Sequence, residues 1–174
     1  MSIAWEKALI TDKGFALLAK SMVGVGGELT ITSVKAGAGS SPVSELKKQT
    51  DVLDIKQVLT IQQMKRNGDT AIIPVFLSNA GRTEAYNLRQ VGFYAEDPDE
   101  GEILYAIAQN SEARHIPTEA EAPGYGLVWN FHFSLSNDVS MNVVVNPSGY
   151  ATNADLEAAM KKISELEEKL NSLL

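Results

Sequence analysis

The chain of 174 residues contains no cysteine, which removes disulfides, thiolate metal sites and cysteine nucleophiles, and leaves packing alone to hold the fold. Histidine is almost as scarce, with only His115 and His132, and neither has the HExxH or i, i+4 partner that a zinc helix needs. Basic residues are outnumbered, 15 Lys and Arg against 22 Asp and Glu, for a net charge of −7. Lys and Arg never run beyond pairs such as Lys47-Lys48, so neither a phosphate backbone nor an anionic membrane surface is a suitable partner. No apolar run approaches the roughly 18 residues that span a bilayer, and Met1 to Trp5 lack the basic and apolar regions of a secretory signal. The expectation is a soluble protein. Phosphate-binding patterns are missing as well: neither Gly24–Gly27 nor Gly37–Gly39 forms GxGxxG or GxxxxGK[ST]. With no Gly-x-Ser-x-Gly around Ser136 or Ser148, a serine hydrolase has no support.

What is present is mostly β-pattern. Thr11 or Asp12 as N-cap, ahead of Phe15, Leu17, Leu18 and Met22, predicts a short amphipathic helix closed by Gly24, Gly26 and Gly27. Glu28 to Lys35 reads as a strand running into the small-residue loop Ala36 to Pro42, and Ser44 to Gln49 as a brief helical turn. The period changes to two after Asp54, and Asn67-Gly68 predicts a hairpin into Thr70–Leu77. Pro74 has no N–H for a ladder, so its strand should lie at an edge or meet a bulge there. A second hairpin joins Leu88–Ala95 to Glu102–Ala108 across Asp97-Pro98-Asp99-Glu100-Gly101, and Pro117 to Gly126 is an exposed loop. In Leu127 to Leu135 the residues Leu127, Trp129, Phe131, Phe133 and Leu135 alternate with Val128, Asn130, His132 and Ser134, which predicts one buried and one wet face. After Ser136–Asp138, the residues Val139, Met141, Val143 and Val145 are expected to complete an antiparallel pair with that strand.

The chain changes character at Pro147-Ser148-Gly149, and Thr152 with Asp155 forms an acidic version of a capping box. Beyond it Leu156, Ala159, Ile163, Leu166, Leu170 and Leu173 occupy alternating a and d positions, with Lys162 and Lys169 at g and Glu167 at e. The seam is narrow and the remaining positions are nearly all Lys, Glu, Ser or Asn, the pattern of a coiled coil. Its alternative is a helix packed back on its own domain, because the match covers about two and a half heptads. The fold class expected is α+β: a mainly antiparallel β-sheet domain with an N-terminal helix over residues 1–149, followed by a coiled-coil helix over 150–174.

Residues with chemistry in them do not assemble into a motif. Asp97, Asp99, Glu100 and Glu102 have oxygen ligands for a hard cation but not the twelve-residue calcium-loop spacing, and read as a solvated hairpin tip. Neither a catalytic residue nor a cofactor is assigned, and the chain is expected not to be an enzyme. Trp129, Phe131 and Phe133 could form a sugar platform if their face were open, which defines the alternative: a carbohydrate-binding module or small cell-wall-glycan hydrolase.

Thr11-Asp12-Lys13-Gly14 with Leu17-Leu18-Ala19-Lys20, then Leu29-Thr30-Ile31-Thr32 running into Ala36-Gly37-Ala38-Gly39, and then Val91-Gly92-Phe93-Tyr94-Ala95 follow one another along the chain. This order of segments resembles the N-terminal domain of phage tail-collar fibre proteins. It continues through Asp97 to Ala106 and Ile116-Pro117 to Tyr150-Ala151-Thr152, and covers roughly residues 9 to 157. It implies a structural part of a virion tail or tail-like particle, such as a contractile tail, a tail-derived bacteriocin or an injection machine, assembled in the bacterial cytoplasm. The sheet domain would dock on baseplate proteins, and the chain would form a homotrimer that leads into the fibre shaft. The sequence stops at Leu174 with no receptor-binding tip, so host attachment is expected to need a distal receptor-binding protein or further chain. The a/d set alone does not choose between two, three and four strands.

Overall fold

In the computed structural model, residues 8–23, 28–134, 140–145 and 153–174 are described. The elements are β1 (Leu9–Ile10), α1 (Asp12–Met22), β2 (Glu28–Gly37), a 3-10 helix (Val43–Lys48), β3 (Ile55–Ile61), β4 (Lys65–Asn67), β5 (Thr70–Ser78), β6 (Tyr86–Asp97), β7 (Gly101–Ile116), β8 (Gly126–Ser134), β9 (Ser140–Val143) and α2 (Asn153–Leu173).

The strands form one strongly bent, mainly antiparallel sheet, ordered β1-β7-β6-β2-β3-β5-β4, with β8 on the other edge of β5. The bend lies in β3, whose Ile55–Leu59 half pairs with β2 while Thr60 and Ile61 pair with β5. The sheet thereby folds over on itself as a half-barrel, and the core fills the space between its two halves. Phe93 of β6 meets Phe131 and Phe133 of β8 edge to face at 4.7 and 5.1 Å, the geometry aromatic rings prefer. Leu29, Ile31, Val34, Leu59, Ile73 and Leu88 close around them, all fully or almost fully buried. Burial of Tyr105 in the same cluster pushes its phenol up to about 12.

A smaller cluster sits on the opposite face, where Tyr94, Leu104 and Ile107 are covered by Leu46 of the 3-10 helix and by Val52, with Leu9 beside them. This is why β6 and β7 are buried on both faces and do not show the simple alternation of β8. The covering loop is tied down by polar groups. Tyr94 donates its hydroxyl to Asp51 and accepts from the Val52 N–H at 3.1 Å. Burial, and then the Asp51 bond, hold the Tyr94 phenol well above its usual range.

The turn chemistry is realised locally. Gly68, at a φ of 61°, starts the two-residue turn between paired Asn67 and Thr70, and the 97–101 turn joins β6 to β7. Pro74 lies on an interior strand, and the reason it is tolerated is a bulge. Ile61 pairs with Val75 and Lys65 with Ile72, so three residues face two, and no ladder donor is required opposite Pro74.

Three expectations are corrected. The strand holding Met141 and Val143 does not pair with β8; β9 runs parallel to β2, with Leu29 opposite Met141, and β8 pairs with β5 along its whole length. Alternation reports which face of a strand is buried and carries nothing about its neighbour. The core, expected as a sheet with a helix against it, lies mainly between sheet halves, and α1 adds only Leu17, with Leu18 packed at its margin. Finally, Phe15 and Met22, expected on the packed face of α1, stand half exposed. The glycines Gly24, Gly26 and Gly27, the turn Ser136–Asp138 with Leu135 and Val139, and the Thr152 cap lie outside the described residues.

Candidate oligomerisation helix and the surface of the sheet domain

The six seam residues all fall on α2, a continuous helix of 21 residues. From Leu156 to Leu173 the seam runs roughly 25 Å along the axis at 1.5 Å per residue. Every residue from Leu156 to Leu174 is exposed, with Leu156, Ile163, Leu166 and Leu170 between 55% and 60%. The helix is therefore not packed back on its own sheet over this length, which removes the alternative raised from the sequence. Lys162, Glu167 and Lys169 flank the apolar line and are exposed as well. One chain by itself shows a helix and no coiled coil. The apolar line is a surface able to pack against equivalent helices, and an isolated helix of this length is marginal in water without such packing.

The other candidates separate. His115 and His132 are both exposed, on β7 and β8. No group of three or more His, Asp or Glu residues able to hold a metal occurs among the described residues. The acidic hairpin tip is a built turn. Asp97, 4% exposed, accepts from the Asp99 and Glu100 N–H groups and from Lys20 Nζ at 2.9 Å. Those backbone donors, with Lys20, hold its carboxyl below the usual range. Lys20 is held above its own by Asp99 and Asp97. Glu102 lies apart from that cluster, accepting from Thr32 and Ser33 and facing Lys35 at 3.7 Å. In the aromatic stripe, Phe131 and Phe133 are buried against Phe93 and Trp129 packs partly buried on the core, so the stripe faces inward.

Sequence reasoning missed two features. The first is a buried glutamine cluster: fully buried Gln90 accepts from the Leu53 N–H and donates to Gln109 at 2.7 Å and to Gln49 at 3.1 Å. Gln109 in turn accepts from the Ser41 N–H and donates to the Ser41 carbonyl, so the cluster staples the 38–54 loop to the sheet. Partners this far apart in sequence leave no local signal. The second is the placement of α1. Thr11 caps the helix by accepting from Gly14 N–H and donates its hydroxyl to the Leu104 carbonyl at 2.5 Å, hooking the helix to β7. Gly14 then lies so close that a Cβ there would stand 2.1 Å from the Tyr105 carbonyl oxygen.

Comparison of the chain with protein-family models, with curated proteins and with solved structures finds no match. No helix among the described residues is long and apolar enough to cross a membrane.

Proposed function

We propose that this chain is a tail-fibre attachment protein: a β-domain that docks on the baseplate of a phage tail or tail-like particle and homotrimerises through α2. The observation that carries the assembly half is the unbroken line Leu156, Ala159, Ile163, Leu166, Leu170 and Leu173 on a helix exposed along that line. Apolar side chains repeating at the coiled-coil spacing gain most by meeting copies of themselves. The charges favour parallel, in-register helices, because Lys162 at g then faces Glu167 at e of the neighbouring copy. The order of segments that resembles tail-collar fibre proteins supports the tail assignment and the choice of three copies.

In this reading the sheet domain is a rigid plug, its long loop fixed by the glutamine cluster and Tyr94, and the work of the protein is mechanical connection. A distal receptor-binding protein would complete host attachment. The test is the solution mass of the intact chain beside that of a chain ending at Tyr150, by light scattering. A trimer that becomes a monomer on shortening supports the proposal. A monomer in both cases refutes it.

A further inference from the structure

Strand β4 and the turn after it carry the only Asn-Gly pair in the sequence. Asn67 closes β4 opposite Thr70, and Gly68 follows at a φ of 61°. All of β4, with Gly68 and Asp69 after it, is exposed. The Asn67 side-chain amide makes no hydrogen bond among the described residues. A Cβ built on Gly68 meets nothing within 4 Å, so neither a side chain of its own nor a neighbour crowds this peptide on that side. Asn79 and Asn110 stand in contrast, both buried and bonded. Asn79 donates to the Pro117, Thr118 and Ala122 carbonyls, and Asn110 accepts from the Glu112 N–H.

We infer that Asn67-Gly68 is a self-modification site, at which the chain deamidates and places an isoaspartate in the β4–β5 hairpin. The Gly68 nitrogen, losing its proton to hydroxide, attacks Asn67 Cγ. The new N–C bond closes a succinimide ring, the Cγ–Nδ2 bond breaks, and Nδ2 leaves as ammonia. Water then opens the ring at one of its two carbonyls. Attack at Cγ gives aspartate, and attack at the backbone carbonyl leaves Gly68 joined through Cγ, which is isoaspartate. Asparagine and water thus become aspartate or isoaspartate and ammonia, with nothing oxidised or reduced.

Ring closure needs rotation about the Asn67 Cα–C bond, out of the extended geometry that pairing with Thr70 imposes. The position of β4 makes that opening accessible. It has three residues, ends the strand order, and carries no strand on its outer edge among the described residues. A short exposed ladder of this kind opens at the low end of a protein's local stability. The bond from Arg66 Nε to the Gly68 carbonyl, at 3.0 Å, is exposed and opens with it. In isoaspartate the main chain runs through the former side chain and gains one atom, so Lys65 and Arg66 lose register with Ile72 and Ala71. The inference needs neither the fibre assignment nor the seam on α2.

The experiment ages the full chain at mildly alkaline pH, folded and in guanidinium chloride, and maps it by proteolysis and fragmentation mass spectrometry. Isoaspartyl methyltransferase counts the isoaspartate. Asn67 should exchange its amide NH2 for OH before any other described asparagine, with a methyl-accepting product, and Asn67→Ser should abolish methyl acceptance at this site. Unfolding should speed the reaction by about tenfold, the restraint that the hairpin supplies. The acidic form, separated by anion exchange, should lose the cross-strand NMR contacts of Lys65 and Arg66 with Ile72 and Ala71 while those between β6 and β7 persist. Asn67→Asp, which adds the charge without the altered linkage, should keep them all. An Asn67 that stays intact in the folded chain would overturn the inference, as would conversion to aspartate alone. Equal rates in the folded and unfolded chain would overturn the role given to the hairpin, and lost contacts in Asn67→Asp would overturn the role given to the linkage.

Discussion

Replacing Ile163 and Leu170 by aspartate places charge at two successive a positions of α2 without touching the sheet domain. In the single chain these side chains are 55% and 60% exposed, so the substitutions cost the isolated helix little beyond propensity. In an assembled seam both would be buried. Each loses about 1–2 kcal/mol of apolar burial, and each carboxylate taken from water without a partner costs several kcal/mol more. Three chains bring six such charges, so the loss exceeds about 10 kcal/mol per trimer, more than seven orders of magnitude in the association constant. Light scattering should then read the chain mass of 18.8 kDa in place of a trimer near 56 kDa. Far-UV circular dichroism should lose helix, because α2 is marginal without partners, while near-UV signals from Trp129 and the buried tyrosines persist. An unchanged mass would refute the seam, and loss of the near-UV signal would refute the independence of the sheet domain from α2.

Three further outcomes follow from the sheet domain. Gln90→Leu removes the side-chain acceptor of the Leu53 N–H and one of the two acceptors of the Gln49 amide at a part-buried site, and should lower stability by about 1–3 kcal/mol in urea unfolding, with little change in oligomeric mass. Gly14→Ala drives a methyl into the Tyr105 backbone carbonyl, which cannot move aside; despite alanine's better helix propensity it should destabilise by about 1–3 kcal/mol, read as a lowered urea midpoint. The Asp97 carboxyl has a lowered pKa in the folded chain, so its contribution is present above the unfolded value near 4 and is lost as pH falls through the folded value. Asp97→Asn should therefore reduce stability at neutral pH and flatten the acid limb of the stability profile; an unaltered acid limb would assign that limb to other carboxylates.

The sequence by itself determined the features written in neighbouring residues. The Thr11 cap, the turns at Gly68 and at 97–101, the one-sided burial of β8 and the helix α2 each depend on residues within a turn or two of one another, where backbone geometry and side-chain period decide the outcome. Pro74 likewise announced an irregularity, and the bulge opposite it supplied one. Tertiary structure decided what depends on distant partners. That β9 lies parallel to β2 and not against β8, that β6 and β7 are covered on both faces, and that Gln49, Gln90 and Gln109 close into one cluster are results of chain return. Local period leaves these choices equal in sign. The orientation of α1 belongs there too, since a hydrophobic pattern marks apolar residues without saying which of two faces the sheet will take. Here a glycine close enough to touch a carbonyl and a threonine within reach of the next strand set the small face inward, leaving Phe15 and Met22 outside.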